Sequence, residues 1–341
     1  MFDLYRCNGN LQPDYLYGEL LMNLKNICVS LIVLTVFLPG NKNADFAELK
    51  PLAGAEIEQG LFSFNRDVAD IIYNKLFGEK LFSPGFFKEN HIVAYYGHPR
   101  SRIMGIVGRH PVHELGPMLK ATAASYDIIN GDKGVVPAIY LIFGTCQPGG
   151  EINRIDKKLL DRYIEYTLLN GMLLYLDHQL GKYSIEEAIN EMLPYLKYPN
   201  VHLAFDPEWH TTRPMREIGY VTAAEINSAQ KLMKEYMLKN GIRGKRQLVF
   251  HQFNPKMVRN REGISASFDP VILVHTTSGW GPPDNKRSTH DRNALTVNIP
   301  DKGFKLWFFY TTKKGVHYDK PLMTPEEVLA LRPEPGIIIY Q

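Results

Sequence analysis

The chain has 341 residues, 45% hydrophobic and 22% charged, an ordinary globular composition with enough apolar material for a full core. A net charge of +3 and no dense basic block speak against nucleic acid as a partner. Cys7, Cys28 and Cys146 have no metal-type spacing and are too few for a disulfide framework.

In chain order, the first readable element is "MNLKNICVSLIVLTVFLPGNKNA" from Met22. A lysine precedes an apolar run from Ile27 to Leu38, broken only by Ser30 and Thr35. This is the length of a signal-peptide core and too short for a spanning helix. Ala44 is the small residue for cleavage, and Met22 is a candidate true start. Residues 1–44 are therefore expected to be an N-terminal extension and signal peptide, with a membrane anchor or a buried helix as the alternatives. The mature protein would be secreted or periplasmic, with no stable membrane span. Residues 45–90 read as a lead-in with a helix around "NRDVADIIYNKLF".

From His91 onward, short apolar β-rich runs alternate with amphipathic stretches. The strand candidates are "HIVAYYGHP" from 91, "VPAIYLIFG" from 136, "MLLYLDHQ" from 172 and "VHLAFDPE" from 201. They continue with "QLVFHQF" from 247, "VILVHTT" from 271, "FKLWFFY" from 304 and "GIIIYQ" from 336. Near-continuous apolar runs suit parallel strands buried on both faces. Between them, Ser184 with Glu187 and Thr222 with Glu225 form capping-box patterns, and Thr324 with Pro325 opens a third helix. The helices after the fifth and sixth strands have the weakest pattern. Eight strands alternating with helices over 91–341 predict an α/β fold, a (β/α)8 TIM barrel of about 250 residues. A doubly wound sheet is the alternative, but no GxGxxG follows the first strand.

Active sites of such barrels lie at the C-terminal ends of the strands. There the sequence puts Tyr96 and His98, then Asp177, His178 and Gln179, then Asp206, Glu208 and His210. Next come His251 and Gln252, His275, and finally Tyr310 and Tyr340. Several of the 11 histidines cluster at one predicted mouth. In "HLAFDPEWH" a strand would carry Asp206 and Glu208 on one face, because strand side chains alternate.

Two chemistries fit. In one, Glu208 is a general acid whose pKa is raised by burial and by Asp206 beside it, with Asp177 tuning the pair. Tyr96, His98, His178, His210, His251, Gln252, His275, Trp280 and Tyr310 would then bind substrate, the aromatic faces holding sugar rings. In the other, His98, Asp177, Glu208, His251 and His275 would bind a divalent metal, although no HxH or HExxH spacing occurs. Trp209 would point to the helices if Glu208 points inward. Arg100, Arg102 and Arg109 follow the first strand and could meet an anion.

"FDPEW" resembles the DxE strand end of chitinase-like barrels, glycoside hydrolase family 18. That resemblance implies Glu208 as the acid and Asp206 as its partner. Val201 and Ala204 stand where the fuller DxxDxDxE pattern has acids, and Tyr340 where the family has Trp. More broadly, "YYGHP", "MGIVG", "LYLDHQLG" and "HLAFDPEW" resemble a group of exported bacterial (β/α)8-barrel proteins of unassigned function, over roughly 91–290. The expected function is a secreted glycoside-hydrolase-like barrel that acts on or binds a polysaccharide or other small ligand, with no cofactor. A non-catalytic envelope barrel and a metal-dependent hydrolase stay open as alternatives.

Overall fold

The computed structural model describes residue 83 and residues 85–312 and 316–341. The expected signal peptide at 1–44, nearly all of the 45–90 lead-in, Cys7 and Cys28 lie outside the described residues.

A short helix, α1 (Phe86–Glu89), leads into β1 (Asn90–Gly97), followed by α2 (Val112–Asp127) and β2 (Gly134–Cys146). A short β3 (Ile152–Arg154) pairs antiparallel with the end of β2. Then come α3 (Lys157–Leu169), β4 (Leu173–His178), α4 (Ile185–Met192) and β5 (Val201–Phe205). The two-residue β6 (Val221–Thr222) precedes α5 (Ala223–Lys239), β7 (Arg246–Gln252), β8 (Val258–Arg259) and β9 (Val271–Thr277). The chain finishes with α6 (Pro283–Ala294), β10 (Asp301–Leu306), α7 (Pro325–Leu329) and β11 (Ile337–Tyr340).

Eight of these strands close into a parallel barrel. The order is β1, β2, β4, β5, β7, β9, β10, β11, and β11 pairs back onto β1. All eight predicted strands are present, so the (β/α)8 fold stands. No helix among the described residues is long and apolar enough to cross a membrane.

Strand alternation divides the core into two. Val93, Leu141, Leu176, Leu203, Phe205, Leu248, Phe250, Phe304 and Ile338 pack outward against the helices. Ile92, Ala94, Tyr96, Ala138, Tyr140, Tyr175, Ala204, Val249 and Ile339 fill the barrel itself. The lower interior is aromatic: Phe87 of α1 meets His202 edge-on at 5.3 Å, and His202 lies against Tyr175 at 5.0 Å. Tyr140 stacks above Tyr175 at 5.0 Å, with rings 9° from parallel. Such a column makes the lower barrel a packed core.

Local signals set the helix starts. Ser184, Thr222 and Thr324 each accept from the backbone three residues on, while Glu187, Glu225 and Glu327 return the bond to the cap. Two expectations change. The seventh barrel strand is Asp301–Leu306, earlier than "FKLWFFY", so Tyr310 lies beyond it. After β7, the described residues up to β9 hold 3-10 turns and the short β8, but no α-helix.

Leu203 is fully buried on the outward face of β5. Leu203→Ala should lower the unfolding free energy by about 2–5 kcal/mol through lost burial and the cavity left behind. Thr222→Ala should cost only about 1 kcal/mol, the worth of one cap. Chemical denaturation of the two variants beside the parent measures both.

Candidate active site

The upper interior of the barrel collects three carboxyl groups, one amine, two phenols and an imidazole. Asp177, at the end of β4, is fully buried, and its Oδ2 accepts a 2.8 Å hydrogen bond from the Tyr96 hydroxyl of β1. His251 of β7 puts Nε2 3.8 Å from the same oxygen and 3.0 Å from the Tyr140 hydroxyl. Lys305 of β10 holds its Nζ 3.6 Å from the centre of the Tyr96 ring and 4.7 Å from that of Trp307. Its neighbours Phe304 and Leu306 belong to the outer core, so alternation turns Lys305 inward.

Asp206 and Glu208 reach this cluster by a route that strand alternation did not foresee. The strand stops at Phe205, and Pro207–Trp209 is a single 3-10 turn. Asp206 Oδ1 accepts the Glu208 backbone N–H at 3.2 Å, an Asx-type cap that sets the direction of the turn. The Trp209 indole lies near enough to Asp206 to help to hold its carboxyl lower. Its place is therefore at the site, not only in the helix layer. Asp206 is buried, whereas Glu208 is half-buried.

Burial governs the electrostatics. Loss of hydration raises Asp177 to about 7, and the charge of Asp206 adds to the rise. Asp206 is raised to about 6 by burial, against the pull of Lys305. Glu208 goes furthest, to about 8, through burial and then the Asp206 charge. Lys305 is lowered to about 8 by burial, with Asp206, Asp177 and Glu208 opposing the fall. Burial, then Lys305, drives His251 well below its ordinary value, so its imidazole is neutral at pH 7. Each shift follows from the cost of keeping a charge out of water.

Several predicted residues lie elsewhere. His178 faces the helix layer, beside Phe143 and 3.7 Å from Glu191 of α4. His275 stacks on Phe250 at 4.6 Å and bonds Gln252 Oε1 through Nε2 at 2.7 Å. Both His275 and Gln252 therefore belong to the outer face, since Phe250 packs there. His210 is tied by Nδ1 to the Tyr220 carbonyl at 2.8 Å. His98 sits in the loop after β1, where its Nδ1 accepts from the Arg100 backbone. Tyr310 lies under the Arg109 guanidinium, 3.5 Å from its ring centre. The proposed set His98, Asp177, Glu208, His251 and His275 thus does not converge, because His275 points away from the barrel. No group of three or more His, Cys, Asp or Glu placed to hold a metal occurs among the described residues.

Trp280 is 37% exposed and stacks on His317 at 3.6 Å, with Trp307 edge-on at 5.9 Å and Phe253 at 5.4 Å. This aromatic group meets the cluster through Trp307. Lys286 of α6 fixes the loops that carry it. Its Nζ donates to the carbonyls of Gly279 at 2.6 Å and Lys305 at 2.7 Å, and lies 3.1 Å from Asp319 Oδ2. Asp319 in turn accepts the backbone N–H groups of Gly281 and Trp307. Lys305, Tyr140 and Trp307 were missed as site residues. The signal for Lys305 was a single charge between two apolar residues of a strand.

No protein-family model matches the chain, and no curated protein matches it in sequence. Among solved structures it is similar to oxaloacetate acetylhydrolase bound to oxalate, at 12% identity over 79% of this chain and 80% of that one, with a TM-score of 0.44. An endo-1,4-beta-mannanase from Rhizomucor miehei matches at 8% identity over 73% of this chain and 85% of that one, TM-score 0.40. A GH18 chitinase from Pseudoalteromonas aurantia matches at 8% identity over 73% and 92%, TM-score 0.40.

The raised Asp177 has a consequence for stability. Its carboxyl moves from 3.8 to about 7 on folding, so the folded state holds this proton more tightly than the unfolded chain does. The stability linked to it is fully present below about pH 4 and is lost as pH rises through 7. Asp177→Asn keeps an acceptor for Tyr96 but cannot ionise. Between pH 4 and pH 8 the variant should gain on the parent by about 1 kcal/mol or more, since one pKa unit is about 1.4 kcal/mol. Urea unfolding at the two pH values measures the difference.

Proposed function

We propose that the protein is a secreted or periplasmic glycoside hydrolase in which Glu208 is the general acid, acting on a polysaccharide held at the barrel mouth. One observation carries this reading: of the three carboxyls, the half-buried outermost one, Glu208, is raised furthest, to about 8. The deeper Asp206 is raised only to about 6. At neutral pH the last proton of the cluster therefore sits on Glu208, on the side from which a glycosidic oxygen would approach. Asp206, which accepts the Glu208 backbone N–H and feels the charge of Lys305, is the readier of the two to ionise.

The division of labour follows from charge. Cleavage of a glycosidic bond needs a proton on the leaving oxygen and negative charge near the sugar carbon that becomes cationic. Protonated Glu208 supplies the first and ionised Asp206 the second. Tyr96 and His251 hold Asp177, the Glu208 backbone N–H holds Asp206, and the charge of Lys305 favours the ionised form of both. Trp280 and Trp307 offer flat faces for sugar rings. Export rests on the 22–44 segment and belongs to the same proposal.

A second reading is a non-catalytic carbohydrate-binding barrel. It is favoured by the depth of the cluster, in which Asp177 is 0%, Lys305 2% and Asp206 5% exposed.

Glu208→Gln discriminates between them. In the hydrolase it should retain glycan binding and lose about 10²–10⁴-fold in turnover, the usual worth of a positioned acid. The parent's rate on a panel of soluble polysaccharides should fall as pH rises through about 8, where Glu208 deprotonates. Reducing-sugar release and binding, measured across pH for both proteins, decide it. Unchanged binding with no turnover from either protein would select the binding barrel.

A further inference from the structure

Three lysines are buried among the described residues, and two of them explain themselves. Lys286 donates to two carbonyls and pairs with Asp319. Lys302 donates to the carbonyls of Asn293 and Thr296 at 3.1 and 2.9 Å. Both hold loops together, as a buried ammonium must to offset its lost hydration. Lys305 is buried as deeply, at 2% exposure, yet its Nζ has no hydrogen-bond acceptor and no carboxylate within 4 Å among the described residues. A lysine kept only to balance the acids would show an ion pair such as the 3.1 Å contact of Lys286 with Asp319. Instead the Tyr96 and Trp307 rings flank the amine; a ring face attracts an ammonium without a directional acceptor, so none of its N–H bonds is committed to a protein oxygen.

From this contrast we infer that Lys305 is a nucleophilic amine that forms an imine with an aldehyde or ketone bound in the barrel mouth. The activity goes beyond glycoside hydrolysis and does not require it. The Nζ lone pair forms a bond to the carbonyl carbon, and the carbonyl π pair moves to oxygen, which takes a proton from Glu208. The nitrogen gives a proton to the Asp206 carboxylate through one water, since no carboxylate is in direct contact, leaving a neutral carbinolamine. Asp206 returns its new proton to the hydroxyl, the C–O bond breaks as water leaves, the nitrogen pair closes the C=N bond, and the iminium N–H proton goes back to the Glu208 carboxylate. The net change is amine plus carbonyl to imine plus water, with no oxidant or reductant. Burial lowers the amine to about 8 while Glu208 is raised to about 8, so neutral amine and protonated acid coexist near neutrality. Glu208 and Trp307 are half-buried, which places the amine next to the solvent-facing end of the cluster.

The test uses the full chain with glycolaldehyde or pyruvate and cyanoborohydride, followed by peptide mass mapping. Lys305 should carry the reduced adduct at least ten times faster than exposed lysines such as Lys231, which is 67% exposed. Glu208→Gln should slow the labelling of Lys305 while leaving Lys231 unchanged. Label spread over surface lysines with Lys305 unmodified would overturn the proposal, whatever the protein does to a glycan. The mapping is made on the parent protein, so it stands even if Lys305→Met does not fold. A folded Lys305→Met that keeps the fast site-specific label at another lysine would equally overturn it.

Discussion

Desolvation of the charged cluster at the top of the barrel is the constraint on which everything functional here depends. Three carboxyls cannot all be ionised in so small a buried volume beside a single amine. Protons therefore distribute themselves by lost hydration and neighbouring charge, lowest at Asp206, which Lys305 and the Glu208 backbone N–H favour as an anion, and highest at Glu208, which meets the Asp206 charge. In water the same side chains would be two aspartates and a glutamate of no particular interest. The fold converts them into a graded set of proton donors and acceptors.

That cluster needs a rigid support, which the aromatic column provides. Tyr175 and Tyr140 stack beneath it, and Tyr96 and His251 link the column to Asp177. The lid side is fixed differently. Lys286 and Asp319 join the loops after β9 and β10 and so set the position of Trp307 over Lys305. Burial lowers Lys286 to about 8 and raises Asp319. The pair thus contributes specificity of loop placement more than stability.

Much of this was legible in the sequence, for reasons that show where sequence reading stops. The eight strands were readable because each is a dense apolar run between turn signals, and the capping boxes marked helix starts to the residue. Helix α6 was not, because its "PDNKRSTHDRNA" has no apolar stripe and it is anchored by the buried polar groups Lys286, His290 and Asn293. Asp177, Asp206 and Glu208 do come together at the C-terminal ends of β4 and β5. His178, Gln252 and His275 were not, because collecting strand ends ignores parity. Adjacent residues such as His251 and Gln252 cannot both face the interior of a strand. Phe250, whose bulk belongs with the helices, already fixed which of the two faces in.

Parity would also have found Lys305. With Phe304 and Leu306 facing the helices, the residue between them must enter the barrel, and a cation in a barrel interior needs either a counter-charge or a function. The acids on β4 and after β5 supply the counter-charge at a distance, through the field and not through contact. A contact pair would bind the amine's protons to one carboxylate and fix the protonation of both. Holding them apart across aromatic faces keeps every member of the cluster able to gain or lose a proton. This freedom is what the proposed activity requires and what a buried salt bridge would remove.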